Sequence, residues 1–269
     1  MKSILTFFAG MLLVAASAPV VAAPNHQLQD VLSALQSNVS SEQYHLFEDA
    51  VHASPMLTGQ LNELAASGQL KEFKVGEAST LPPAVGPFGA YISGTTWAFT
   101  PKFVQQQAKT RYYDVVMPDD VLGNNMVFAL GELAYRTKSA SDIAADEKAL
   151  NKQLSQEIAA ARGTSQPLNA NYFMHQHVAI EIRNTALGFI QGWNDMLDAA
   201  VQENGGKALT VRQLVSLTMN FRYRAVFMVA MRSPDHRLNY ANDGRIEPTD
   251  ANRDAIASAL TNMKMYDLQ

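Results

Sequence analysis

Two charged side chains stand four residues apart in the segment 125–138, NMVFALGELAYRTK. Glu132 and Arg136 share one face if this segment is helical, because residues at i and i+4 are neighbours on a helix surface. A carboxylate in such a place can bind a metal ion or act as a general base, whereas a guanidinium pairs with carboxylates. The spacing favours an ordinary ion pair, worth about 0.2–0.5 kcal/mol if exposed.

A second group of chemically active residues lies further along the chain. His177 and Glu181 are also four residues apart, which is a spacing that metal sites use on helices. His175 and His177 are two apart, so on a helix they point away from each other and cannot both bind one ion. They lie near the predicted start of a long helix, where capping or solvated histidines are common, and we favour that interpretation.

The segment 125–138 follows a region rich in aromatic and β-branched residues. Between residues 70 and 117 these residues cluster between Gly and Pro breaks, which predicts three or four short strands with a helical turn around 102–109. We expect a small antiparallel sheet with Tyr91, Trp97 and Phe99 facing the core. Trp97 and Phe99 are two residues apart and therefore share a face.

Helical periodicity dominates the rest of the chain, with capping residues, prolines and glycines at the predicted ends. The predicted helices are 28–53 with a new start capped by Ser40, 56–66 after Pro55, 125–138, one capped by Ser141 and ending before Gly163, 171–202, 211–232 and 251–263. The segment 211–232 is apolar nearly all round, so we expect it to be central. Many helices and one block of strands predict a single, predominantly helical α+β domain.

The order of these parts resembles the zincin metallopeptidases, in which a helix after aromatic strands carries a His-Glu-x-x-His motif. If Glu132 aligns with the glutamate of that motif, Gly131 and Tyr135 stand where the histidines belong. If Glu132 and Arg136 align with the two histidines instead, no general base remains. A glutamate on a later helix commonly supplies the third zinc ligand in that family, and Glu181 is a candidate for that position.

The resemblance therefore implies a metallopeptidase-like frame whose zinc-binding motif is degenerate. The residues that it places in a candidate cleft are Glu132, Tyr135, Arg136, His177 and Glu181. Because an arginine cannot lose its charge and repels a cation, we expect neither a bound metal nor another cofactor.

Arginines alternate with aromatic residues in Phe221–Arg224, within the most apolar predicted helix. Such alternation can bind nucleic acid, but the acidic chain argues against that function. A buried arginine needs a carboxylate partner, because an unpaired buried charge is costly. We expect Glu132, Glu181 or Asp195 to supply one. Trp193 has apolar neighbours on the long helix and is interpreted as a core residue.

The N-terminal residues predict export. Lys2 precedes an apolar run from Ile4 to Val14, and Val20-Val21-Ala22 fits a signal-peptide cleavage site with Ala22 as the last residue removed. The run is too short for a membrane span, which needs about 20 residues. We therefore expect a signal peptide over 1–22, a single globular domain over 23–269, and a periplasmic or secreted protein that does not span the membrane after processing.

The charge and the cysteine content limit the classes of partner and function that we expect. The formal net charge of −4 becomes −5 when residues 1–22 and their one lysine are removed, which argues against nucleic acid or an anionic membrane as the main partner. The chain has no cysteine, so its fold depends on burial without disulfides. We expect a non-catalytic binding protein of the cell envelope, of which an immunity or inhibitor protein is one form, with another protein as its partner. The alternative is a periplasmic hydrolase, zinc-dependent or otherwise.

Overall fold

A computed structural model describes residues 23–76, 90–107, 121–162, 169–233 and 237–263. These residues form a predominantly helical α+β arrangement with one small sheet, which confirms the predicted fold class. The predicted signal peptide, and residues 77–89 and 108–117 of the predicted strand block, lie outside the described residues.

The helices and strands follow one another along the chain in an order close to the prediction. They are α1 (His26–Gln36), α2 (Ser41–Ala53), α3 (Pro55–Ala66), β1 (Glu72–Val75), β2 (Ala90–Ser93), β3 (Thr96–Phe99), α4 (Pro101–Gln106), α5 (Asn125–Lys138), α6 (Ala140–Ala161), α7 (Ala170–Glu203), α8 (Val211–Met219), α9 (Arg224–Arg232) and α10 (Asp250–Asn262).

The N-terminal helices begin where their capping residues predict. The Ser40 side chain accepts from the backbone N–H of Gln43, whose side chain accepts from the N–H of Ser40, and this completes a capping box. Pro55 occupies the first turn of α3, where its missing N–H would have had no helical partner. These caps use only contacts between residues close in sequence, so the sequence alone predicts them.

The sheet has strand order β1-β3-β2. Strands β2 and β3 form an antiparallel hairpin, as predicted, around Gly94 at φ +60°. Strand β1 pairs in parallel with the other edge of β3, so the sheet is mixed where we had predicted an antiparallel one. The hairpin leaves that edge of β3 open, and β1 pairs with it. This pairing places Phe73 beside Trp97, with ring centroids 5.6 Å apart.

The two faces of the sheet bury different side chains. Trp97 and Phe99 are fully buried in the main core, as predicted. Tyr91 is also buried, but it is paired with Ala98 and packs with it apart from the main core. Because Ala98 is one residue out of phase with Trp97 and Phe99, Tyr91 lies on the opposite face, and the prediction for Tyr91 was wrong.

Helices α5 and α7 form the centre of the core and pack unusually closely. Eleven of the fourteen residues of α5 are buried. A Cβ added at Gly192 of α7 would lie 2.5 Å from the backbone oxygen of Phe128 in α5, and one added at Gly188 would lie 3.0 Å from the Cγ of Glu132. Glycine at these positions therefore allows the two helices to approach each other.

Two predicted helices differ from the structure. Helix α6 begins at Ala140 after Ser139, not after Ser141, and none of its residues is fully buried because it contacts the body mainly along one side of α7. The predicted helix 211–232 is broken between α8 and α9, and Leu217 is the one fully buried residue of α8.

The break has a tertiary cause. The backbone N–H of Arg222 donates to Oδ1 of Asn125 at 3.0 Å instead of continuing the helix. This turn brings the rings of Phe221 and Tyr223 to 4.6 and 5.1 Å from that of Phe128. Contacts with α5 thus outweigh the local preference for one long helix.

Within the described residues, no helix combines the length and the apolar character that crossing a membrane requires.

Candidate functional site

The structure brings together three of the five residues of the predicted cleft. Arg136 lies between two carboxylates, with Nη1 3.5 Å from Oε1 of Glu132 and Nη2 4.0 Å from Oε2 of Glu181. The Glu132 and Arg136 side chains are only 10% and 16% exposed. We call Glu132, Arg136 and Glu181 the ion-pair cluster. It confirms that Glu132 and Arg136 share a face of α5, and it places Glu181 of α7 beside them.

Burial dominates the electrostatics of the ion-pair cluster. Desolvation raises the pKa of Glu132, while the Arg136 guanidinium opposes this change and the Glu181 carboxylate adds to it. Oε1 of Glu132 has no hydrogen-bond partner among the described residues, so its 3.5 Å contact with Arg136 is an ion pair rather than a hydrogen bond. The cluster is therefore a partly satisfied buried network in which Arg136 is the compensating charge.

The other two predicted cleft residues face different surroundings. His177 is 56% exposed, and its Nδ1 lies 3.7 Å from Oε1 of Glu147 in α6, which supports the solvated role. Tyr135 is half-buried, and burial raises its pKa. A hydrogen bond with Ser139 and the charges of Arg183 and Arg253 oppose this increase, while the charge of Asp142 adds to it. Among the described residues, no group of three or more His, Cys, Asp or Glu side chains is arranged to hold a metal ion.

The sequence analysis missed the role of Asp195. This residue is fully buried on α7, and its Oδ1 accepts from the Nε2 atoms of Gln60 and Gln191 at 2.9 and 3.0 Å. Its Oδ2 has no hydrogen-bond partner in the described part of the chain and lies against Gly131 of α5, where a Cβ would collide with it. Burial raises the pKa of Asp195 from 3.8 to about 8. The spacing of Gly188, Gly192 and Asp195 could have shown that this carboxylate lies on the face that packs against α5.

Arg222 does not pair with any of the three carboxylates that we had expected. Its Nη2 donates to Oε1 of Gln106 at 2.7 Å, and its guanidinium lies 5.4 Å from the ring of Tyr223. For Arg222 the prediction was wrong, because this residue lies in the break between α8 and α9 and so points toward α4 rather than α7. Trp193 is buried, as predicted, and its Nε1 donates to the carbonyl of Gly244 at 2.9 Å.

An open apolar site lies on another side of the molecule. Helices α8 and α9, with Trp193 and the segment 240–244, enclose a cavity of about 300 Å³. We call this site the apolar cleft. Its lining residues are Trp193, Val211, Leu214, Val215, Thr218, Met219, Met228, Met231, Tyr240, Ala241 and Gly244.

The apolar cleft continues onto the protein surface. Val211 and Val215 stand one turn apart on α8 and are 79% and 58% exposed. Large aliphatic side chains this exposed are unusual when they adjoin a cavity, and such continuous apolar surface indicates a binding site. Sequence reasoning missed the cleft because it treated 211–232 as one buried helix; the polar residues Asn220 and Arg222 were the signal of the interruption that opens it.

Comparison of the chain with protein-family models, with curated proteins and with solved structures gave no match. The function must therefore be argued from the ion-pair cluster, Asp195 and the apolar cleft.

Proposed function

We propose that this protein is a non-catalytic binding protein of the bacterial cell envelope, which accepts apolar side chains of a protein partner in the apolar cleft. An immunity or inhibitor protein against a secreted toxin is one form of this function. The apolar run Ile4–Val14 and the site at Ala22 support export. The order of parts in the sequence resembles that of a metallopeptidase with a degenerate motif, and the proposal needs no chemistry from that resemblance.

The apolar cleft carries the proposal. Its volume of about 300 Å³ lies at the lower end of the range of ligand pockets, and three methionines line it. Methionine side chains are flexible and polarizable, so they adapt to different apolar groups in protein–protein interfaces. A small ligand inside the cavity would leave Val211 and Val215 exposed, whereas a protein partner would cover both.

The buried acids are poorly placed for catalysis. A general base must come within hydrogen-bonding distance of a substrate proton, but Asp195 is fully buried. Glu132 is nearly as buried and is paired with Arg136. Among the described residues, no specific observation favours the hydrolase alternative.

Trp193 offers a direct test, because it lines the cleft and is one of two tryptophans in the chain. The Trp97→Phe variant removes the other, whose Nε1 makes no hydrogen bond to the residues that the structure describes, so the change breaks none of their hydrogen bonds. An uncharged amphipathic peptide of about 15 residues, near the length at which isolated helices form, serves as the probe. We expect it to shift the emission of Trp193 in a saturable way.

We compare peptide binding by two variants that each carry a new aspartate at an exposed position, one in the cleft and one outside it. Val215→Asp places a carboxylate on the surface of the cleft, and we expect it to weaken peptide binding by about tenfold or more, equal to ~1.4 kcal/mol. Met174→Asp is the matched control, since Met174 is 48% exposed on the N-terminal part of α7. If no apolar peptide moves the Trp193 emission, or if both variants weaken binding equally, the cleft is not the binding site.

A further inference from the structure

The chain that builds the apolar cleft differs sharply in charge from the rest of the protein. Residues 207–245 contain seven Lys or Arg and two Asp or Glu, a net charge of +5. The whole chain carries −4, so the remaining residues carry −9. Because the protein is acidic overall, the positive charge of this segment is a local feature of the chain and not a general property of the protein.

Several of these cationic residues are exposed and stand close in sequence to residues that line the cleft. Arg232 follows Met231 and is one helical turn from Met228 on α9, and Arg237 lies three residues before Tyr240. Both are exposed, as are Arg212 on α8 and Arg245 beside Gly244. Asp243 pairs with Arg245 at 3.3 Å and offsets part of the charge. An apolar centre with a charged border is the usual anatomy of a protein interface.

On the basis of the proposed function above, we infer that the partner presents an acidic amphipathic helix to the apolar cleft. Its apolar face would contact the cavity and the two exposed valines of α8. Its carboxylates would face the arginines. Val211 and Val215 are four residues apart and so extend the apolar surface by about 6 Å along α8, which suits an elongated partner. A groove between two helices is a known receptor for a third amphipathic helix.

Charge complementarity also has a kinetic consequence. Opposite potentials steer partners together and raise association rates, and salt screens this effect. The same border would repel a basic helix with an identical apolar face. We therefore expect selectivity between partners to come from the arginines, while the apolar lining supplies affinity that all such helices share.

Three peptides with identical apolar positions separate these contributions. Their polar positions carry glutamate, glutamine or lysine, and each is titrated into the full-length Trp97→Phe protein with Trp193 emission as the signal. We expect the glutamate peptide to bind at least about tenfold more tightly than the lysine peptide at low salt, a difference of ~1.4 kcal/mol. This difference should shrink as salt rises from about 0.05 to 0.5 M.

Charge reversal tests the assignment to the arginines. Arg232→Glu combined with Arg237→Glu should remove the preference for the glutamate peptide and leave binding of the glutamine peptide unchanged. Lys152→Glu, on the exposed face of α6, is the matched control and should alter none of the three affinities.

The possible outcomes separate the two proposals. Equal binding of all three peptides, or a preference for the lysine peptide, would overturn the acidic partner while leaving the binding function intact. Emission shifts with phosphatidylglycerol vesicles but with none of the peptides would also overturn it, in favour of an anionic membrane surface. If neither peptides nor vesicles change the emission, the cleft is not a binding site and both proposals fail.

Discussion

Replacing Asp195 by asparagine should change how the stability of this protein depends on pH. Asp195 is fully buried, accepts hydrogen bonds from Gln60 and Gln191, and has one oxygen without a partner. Asparagine keeps the acceptor oxygen that both glutamines use, and it cannot ionise. The charged residues that act on Asp195 are Asp198, which raises its pKa further, and Lys138, which lowers it.

The sign and size of this change in pH dependence follow from the linkage between proton binding and folding. The pKa of Asp195 is about 8 in the folded protein, against an ordinary value of 3.8, so the unfolded chain ionises first as pH rises. Its contribution to stability is complete below pH 3.8 and is lost as pH rises toward 8. The loss is about 1.4 kcal/mol per pH unit in this window, and up to roughly 6 kcal/mol in total.

Denaturant unfolding at a series of pH values measures this effect. Between pH 5 and pH 7, the free energy of unfolding of Asp195→Asn should increase relative to the wild type by about 3 kcal/mol. Other groups with raised pKa values, such as Glu132, contribute equally to the unfolding free energies of both proteins, so their contributions cancel in the difference. The matched control is Asp146→Asn, since Asp146 forms an exposed ion pair with Arg183. This substitution should change the free energy of unfolding by about 1 kcal/mol or less.

A pH-independent difference between wild type and Asp195→Asn would refute this reasoning. It would mean that the buried carboxyl ionises at nearly the same pH in the folded and unfolded protein. A difference that grows in the opposite direction, with the variant losing stability as pH rises, would mean that the charged form of Asp195 is the one the fold stabilises.

Four further outcomes are expected. Gly192→Ala should destabilise the fold by more than about 1 kcal/mol, because the added Cβ would lie 2.5 Å from a backbone oxygen of α5. The control is Gly59→Ala, whose added Cβ would meet no described atom within 4 Å. In the same unfolding assay, Gly59→Ala should increase the free energy of unfolding by about 0.5–1 kcal/mol. Arg136→Met should cost about 3 kcal/mol at pH 7 and less at pH 5, where Glu132 is more easily protonated; an equal loss at both pH values would contradict this. Elemental analysis should find far less than stoichiometric zinc, because the charge of Arg136 is permanent; stoichiometric zinc that is lost in Glu132→Ala would restore the enzyme alternative. Mass spectrometry should find a mature chain beginning near Ala23, and an intact N-terminus in envelope fractions would contradict export.

Short-range interactions made much of the fold predictable. The bounds of α5 agree with the predicted segment, and α7 begins and ends within one residue of the prediction. Gly205 and Gly206, at φ +69° and +76°, end α7 as expected, since glycine adopts this conformation without steric cost. The Glu132–Arg136 pair was predictable for the same reason, because helical geometry alone brings side chains at i and i+4 together.

Features that depend on distant neighbours were not predictable in this way. The parallel pairing of β1 with β3 joins residues 24 positions apart in the chain, such as Phe73 and Trp97. The break at Arg222 depends on Asn125, which is 97 residues away. The pKa of Asp195 depends on its burial against α5 and on Gln60, from 135 residues earlier in the chain.

The sequence by itself therefore determined where most helices begin and end, the general α+β class and the residues of one ion pair. Tertiary structure alone decided that Asp195 is fully buried in the core and that Arg222 turns toward Gln106. It also decided that α8 and α9 separate to form the apolar cleft. The physical reason is that caps and helix faces are set by neighbours within about one turn. The cost of burying a charge, and the space between two helices, are set by whichever distant residues pack against them.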